Sequence, residues 1–288
     1  MKIKLLIYSI LIYLLSNNTP NLKRIITFLA LVVFTVNSVK SQHFTHDIGF
    51  HAGTATIQAD FGVRDNFLSS YGNSAVSLSF THTLHFFNRD PKWNADHKLW
   101  SYFAIRSELN IITNGNFQHH GPFVQGNNDL AVQLRAMTGT TNITNIGFQA
   151  EYYMKCLKDF IYPWTDIKWN PYVLLGVQYT MFSNTLNSTI GDWEQDISVL
   201  PRKWRTPGAL DVGKGTTFAG TFGGGIRYKL NQKMDLNAQL NWQFFFSDSV
   251  DGLKANVIEN KDNEWLINFQ VGVIYHLNYD RPLSIFNF

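Results

Sequence analysis

Two arginines and three carboxylates, Arg106, Arg227, Glu108, Glu151 and Asp235, stand in stretches where every second residue is polar. Ionised groups held on one face at that spacing either pair in a buried network or line a path for protons and small solutes. His119-His120, with Asp129 nearby, is a second candidate, because an imidazole with an acid partner can move protons in lipid-editing chemistry. An adjacent histidine pair in a polar stretch reads first as solvated surface. No nucleophile motif accompanies it, and no third ligand stands at a zinc spacing. Gly223-Gly224-Gly225 lies inside an alternating stretch with no helix to follow, so it is neither a dinucleotide loop nor a phosphate loop. Cys156 is the single cysteine, which excludes an intramolecular disulfide and a multi-cysteine metal centre. The expectation is no catalytic residue, no metal and no cofactor.

A period of two positions the polar groups. From Met234 to Phe246 the even residues Met234, Leu236, Ala238, Leu240, Trp242, Phe244 and Phe246 are apolar. Asp235, Asn237, Gln239, Asn241 and Gln243 between them are polar. A strand sends alternate side chains to opposite faces, so one face is greasy throughout and the other wet. The stretch exceeds a typical soluble strand and suits a tilted strand crossing a bilayer, which takes about 9 to 11 residues.

Seven further stretches repeat the pattern: 46–53, 76–86, 100–112, 145–152, 172–181, 217–229 and 265–279. Eight strands, an even number, predict an all-β, eight-stranded antiparallel up-and-down transmembrane β-barrel spanning 44–280. Connections 56–72, 113–140, 183–215 and 247–263 then fall outside, and 88–99, 154–170 and 231–232 fall inside. The longer set is extracellular. A ten-stranded count with extra hairpins inside the loops stays open. Within 113–140, Asp129 to Met137 reads as a short helix.

The predicted lumen set is Arg106, Glu108, Asn110, Asn145, Gln149, Glu151, Gln178, Arg227, Asp235, Asn237, Gln239, Asn241, Gln243, Asn268, Gln270 and His276, with Lys229 near the inner rim. Eight strands leave a bore that side chains nearly fill, so a structural network outranks a solute path. Trp100, Tyr152, Trp169, Tyr228, Tyr275 and Tyr279 near one set of strand ends, and Trp242 and Trp265 near the other, match the aromatic girdles of membrane interfaces. Trp193 and Trp204, in a long loop, could instead grip carbohydrate, a weaker reading.

Hydrophobic residues make up 45% of the chain, yet the mean hydropathy is −0.12. No run of about 18 apolar residues, the length a spanning helix needs, occurs outside the N-terminus. There, Lys23 and Arg24 precede the apolar run Ile25 to Val36, and a cut after Ser41 would follow small residues. Residues 1–41 are therefore expected to be an export signal, with 1–21 an extension upstream of the true start, and 281–288 a periplasmic tail. Without Lys2, Lys4, Lys23, Arg24 and Lys40, 19 basic residues remain against 21 acidic ones. That balance gives no support to nucleic-acid binding.

The opening His46-Asp47-Ile48-Gly49, the segment Gln58-Ala59-Asp60-Phe61-Gly62, Trp93-Asn94-Ala95-Asp96-His97, the stretch Asn260 to Leu266 and the end Val271 to Tyr279 resemble those of a family of outer-membrane β-barrels from flavobacteria and their relatives. The opening also resembles the start of the PorG-type barrel of type IX secretion and gliding. The resemblance implies the outer membrane of a Gram-negative bacterium, lipid as surroundings, and envelope proteins as partners. The expectation is a non-enzymatic barrel with a plugged lumen, serving as a scaffold or accessory of the envelope. The alternative is a small-solute channel or a lipid-modifying enzyme.

Overall fold

Alternation places the eight strands edge to edge and leaves no edge free. A computed structural model describes residues 45–61, 72–86, 99–161, 165–254 and 263–277. The expected export signal, the tail, Tyr279 and most of the 88–99 turn lie outside these residues. The strands are β1 (Thr45–Gln58), β2 (Ser74–His85), β3 (Phe103–Gln118), β4 (Met137–Tyr153), β5 (Trp169–Ser188), β6 (Lys214–Lys229), β7 (Met234–Phe245) and β8 (Trp265–His276). Each pairs antiparallel with the next, and β8 pairs with β1, closing the ring. Among the described residues the ring has eight strands, which removes the ten-stranded alternative.

The register fixes the geometry. Stepping from Asp47 to Thr83, Arg106, Gln149, Gly176, Thr221, Gln243 and Leu266 returns to β1 at Ile57, ten residues beyond the start. A stagger of that size in eight strands tilts them by roughly 40° to the barrel axis. On β5, outward residues stay apolar from Trp169 to Met181. At ~3.3 Å per residue and that tilt they span roughly 30 Å, the thickness of a bilayer's hydrocarbon core.

Within this band the wall is apolar outside and polar inside. Phe148 and Leu175 are 64% and 69% exposed, whereas Arg227 and Gln270 on the other face are fully buried. Beyond the band, at the end holding the long connections, the pattern inverts on three strands. Outward residues there are Asn116, Gln118, Thr140, Asn142, Thr185 and Asn187, and inward ones are Phe117, Met137, Ile143, Phe182 and Leu186. A register shift between Ile112 and Gly115, with Asn114 in the left-handed region at φ 59°, marks the change on β3.

This inversion corrects three boundaries. The segment 113–140 is a loop only between the end of β3 and the start of β4, and β5 and β6 extend into the expected 183–215 loop. Trp100 belongs to a 3-10 turn, Leu99–Tyr102, before β3. The expected short helix is present as α1 (Asp129–Ala136), capped by Asn128, whose side chain accepts from the Ala131 amide at 2.9 Å. A second short helix, α2 (Leu157–Ile161), follows β4.

Both mouths are closed by apolar packing. At the loop end, Phe61, Phe117, Leu200, Trp204, Val250 and Leu253 join the inward residues of the strand extensions. At the end holding the strand termini, Leu157, Phe160 and Ile161 of α2 pack with Ala104, Tyr153, Tyr172 and Leu174.

Candidate functional site

Every residue of the predicted lumen set faces inward and is buried. The set divides into an ionic part near the terminal end and an amide part towards the loops. In the ionic part, Arg227 Nη2 donates to Asp47 Oδ2 (2.8 Å) and Asp235 Oδ2 (2.7 Å), and Nη1 donates to Tyr153 OH (3.2 Å). Tyr153 OH donates to Glu151 Oε2 (2.6 Å), and Glu151 Oε1 pairs with Arg106 Nη1 (3.0 Å). Arg106 Nε donates to Gln149 Oε1 (2.7 Å), and Gln149 in turn donates to Glu108. One unbroken chain of polar contacts thus crosses the bore from Asp47 to Glu108.

His276 closes the terminal end of this chain. Its Nδ1 lies 2.7 Å from Asp47 Oδ1 and its Nε2 3.3 Å from Asp235 Oδ2. An ionised carboxylate only accepts, so the ring nitrogen facing Asp47 donates. His85 Nε2 donates to Asp47 Oδ2 at 2.7 Å.

The amide part is neutral, and most of its members bond one another. Asn145 and Gln243 exchange two hydrogen bonds (3.1 and 2.9 Å), and Thr180 Oγ1 donates to Asn145 Oδ1 (2.7 Å). Asn110 donates to Ser77 and Ser79 (2.9 and 2.6 Å), and Gln270 donates to the same two hydroxyls (2.9 and 2.7 Å). Gln239 joins the two parts, accepting from Arg106 Nη1 (2.8 Å) and donating to Gln270 Oε1 (2.7 Å). Asn237 Nδ2 donates to His51 Nε2 at 3.1 Å. Asn241 and Asn268 are register partners on β7 and β8, with their side-chain oxygens buried and not hydrogen-bonded among the described residues, and Gln178 donates weakly to Glu108 at 3.4 Å.

The sequence set omitted Asp47, His51, His85, Tyr153 and Tyr172. With Asp47, the lumen holds four carboxylates against two guanidiniums, so the three-to-two balance expected from sequence is incomplete. All five stand in the inward phase of their own strands, and the phase alone could have found them. The glycine run has a packing reason: a Cβ on Gly225 would fall 2.6 Å from Tyr172 OH, so the missing side chain leaves room for that ring inside the bore.

Trp100, Tyr152, Trp169, Tyr228, Trp242, Trp265 and Tyr275 all lie outside the lumen and face away from it. Trp169 and Tyr228 stack across β5 and β6 at 4.4 Å, and Trp242 stacks on Phe222 at 5.8 Å. Trp204 is buried in the loop-end cluster, and Trp193 Nε1 donates to Leu186 O at 2.8 Å. The Trp204 ring is withdrawn from solvent, and Trp193 is half-buried against the same cluster. His119 packs on Phe61 at 4.9 Å. Burial first, then Lys203 and His120, bring its pKa down to about 4. Cys156 is buried. Lys229 caps β6 with its ammonium 5.3 Å above the Phe160 ring.

No protein-family model and no curated protein matches the chain. Solved structures similar to it include the attachment invasion locus protein Ail of Yersinia pestis, at 9% identity over 81% of this chain and 99% of that one, with a TM-score of 0.40. Neisserial surface protein A is similar at 11% identity, over 80% and 96%, with a TM-score of 0.39. A major outer membrane protein from Thermus thermophilus is similar at 12% identity, over 81% and 98%, with a TM-score of 0.44. Such scores decide nothing about activity, and the chain's own geometry carries the conclusion. In hydrocarbon an unpaired strand edge costs several kcal/mol per group, so only helices and closed barrels span. With a closed ring, an apolar wall of bilayer height and a polar interior, this chain is an eight-stranded transmembrane β-barrel.

Proposed function

We propose that the protein is a non-conducting barrel that serves as a scaffold or accessory of the cell envelope and performs no enzymatic step of its own. One observation carries this reading: side chains bonded across the bore fill it, and apolar clusters close both mouths. A path through the bore would require Arg106 and Arg227 to part from the carboxylates they hold, breaking buried ion pairs and their hydrogen bonds. The aromatic rings on the outer wall anchor the barrel at the two interfaces.

Catalysis at the histidine pair finds little support. With a pKa near 4, His119 is a weak base, and a general base works best poised near ambient pH. The partner surface is the terminal end, where α2 and the 154–170 connection present Lys155, Lys158 and Asp159. The resemblance to the PorG-type barrel directs that role towards type IX secretion or gliding.

In-cell cross-linking from Lys155 and Lys158, followed by identification of neighbours, tests the scaffold role. Recovery of a specific envelope protein supports it, and recovery of lipid alone overturns it. Unchanged lipid A in a His119→Ala His120→Ala double variant is expected, and altered lipid A would reinstate the enzyme.

A further inference from the structure

At the loop end the outward face of β3, β4 and β5 continues the lipid-facing wall and changes only its chemistry. The strand register sets its side chains in cross-strand rows. Gln118 stands opposite Thr138, and Thr138 opposite Asn187; two residues nearer the membrane, Asn116 stands opposite Thr140, and Thr140 opposite Thr185. Asn142 and Ser183 form the lowest row, two residues beyond Thr144 and Met181. All eight point away from the bore, five of them exposed and Thr138, Thr140 and Ser183 half-buried.

None of the eight carries a charge. A surface meeting only water is charged at roughly a quarter to a third of its positions. The connection between β5 and β6 is of that ordinary kind, with Asp192, Glu194, Asp196 and Arg202 exposed. Lys214 borders the neutral face on β6, opposite Ser183. Two contacts order the face: Thr140 Oγ1 and Thr185 Oγ1 lie 2.7 Å apart, and Asn142 Oδ1 accepts the Asn114 amide at 3.3 Å. Each of its hydroxyls and amides both donates and accepts. A sugar hydroxyl does the same, whereas a phosphate asks for cations that these rows do not carry.

Height narrows the occupant further. From Met181 to Asn187 the face rises roughly 15 Å above the lipid edge, at ~3.3 Å per residue and the barrel's tilt. A phospholipid head-group layer is only about 5–8 Å deep, so only a taller head group reaches the upper rows. We infer that this face holds the neutral sugars of an outer-leaflet glycolipid, whose acyl chains lie against the apolar wall directly below. The inference rests on the barrel standing in a Gram-negative outer membrane with its long connections outside. Consecutive stretches of the same strands then hold the two ends of one lipid.

The full barrel in phospholipid nanodiscs, titrated with lipopolysaccharide carrying its core sugars and separately with lipid A, tests the inference. Lipid A keeps the acyl chains and phosphates without those sugars. The core-bearing lipid should bind about tenfold more tightly, the worth of a few hydrogen bonds. Removing the middle row with Asn116→Ala Thr140→Ala Thr185→Ala should abolish that preference and leave the affinity for lipid A unchanged. Equal affinity of the wild-type barrel for the two lipids, or a preference that survives the triple variant, would overturn the inference. Disulfide-linked dimers of Thr185→Cys in a Cys156→Ser background would assign the face to a second copy and overturn it too. Cell fractionation separates this from the membrane reading beneath it. A barrel absent from the outer membrane ends both, whereas one present there without the preference ends this inference alone.

Discussion

The membrane ring and the loop-end extension of β3, β4 and β5 are built from the same strands with opposite polarity. In the ring, β5 turns Val173, Leu175, Val177 and Tyr179 outward and Gln178 and Thr180 inward. Two residues beyond Met181 the same strand turns Ser183, Thr185 and Asn187 outward and Leu186 inward. On β5 backbone and register are continuous across the change, so the solvent on each side decides which side chains that strand presents. Hydrocarbon takes apolar groups and leaves the polar ones to bond each other, whereas water does the reverse. The lower part is thereby held by cross-barrel hydrogen bonds and ion pairs, the upper part by apolar packing.

If that contrast is right, losing one charge in the ring should cost more than any single change above it. Arg227→Leu strands Asp47 and Asp235 and should lower stability by about 3–5 kcal/mol in urea titrations of the barrel in liposomes. Adding Asp47→Asn and Asp235→Asn should recover most of the loss, because the orphaned charge and not the lost packing sets the cost. Failure of that recovery would break the ionic half of the comparison. In the upper part, Ile143→Ala opens a cavity in a fully buried cluster and should cost about 2–5 kcal/mol by the same titration. A matched pair on the outer face sharpens the contrast further. Val177→Arg, within the lipid band, should cost roughly 2–4 kcal/mol. Thr185→Arg, on the same strand face in water, should stay within about 0.5 kcal/mol. Equal costs would mean that the two regions share one solvent.

The ring was legible in the sequence because hydrocarbon enforces a strict period of two. β7 shows that period without an error until Phe245, and its neighbours in the ring could be read from the same phase. The extensions were not, for two physical reasons. Past the lipid boundary the apolar phase changes face, so the inward Met137 and Ile143 and the outward Thr140 and Asn142 read as an irregular polar loop. On β3 the extra residue at Asn114 also shifts the parity, a device invisible to pattern counting. The ionic site was half legible. Arg106, Glu108, Glu151, Arg227 and Asp235 stood out as charges, whereas Asp47 and His85 shared the inward phase of β1 and β2 but were not taken into the lumen set.

The account depends most on which way β7 faces. Single cysteines placed at each position from 234 to 245 in a Cys156→Ser background, in liposomes, can be tested with one lipid-soluble and one water-soluble thiol reagent. Even positions from 236 to 244 should react with the lipid-soluble reagent alone, and odd positions from 235 to 243 should react with neither. Reactivity without a period of two, or odd positions open to the water-soluble reagent, would contradict a sealed barrel with its polar groups turned inward.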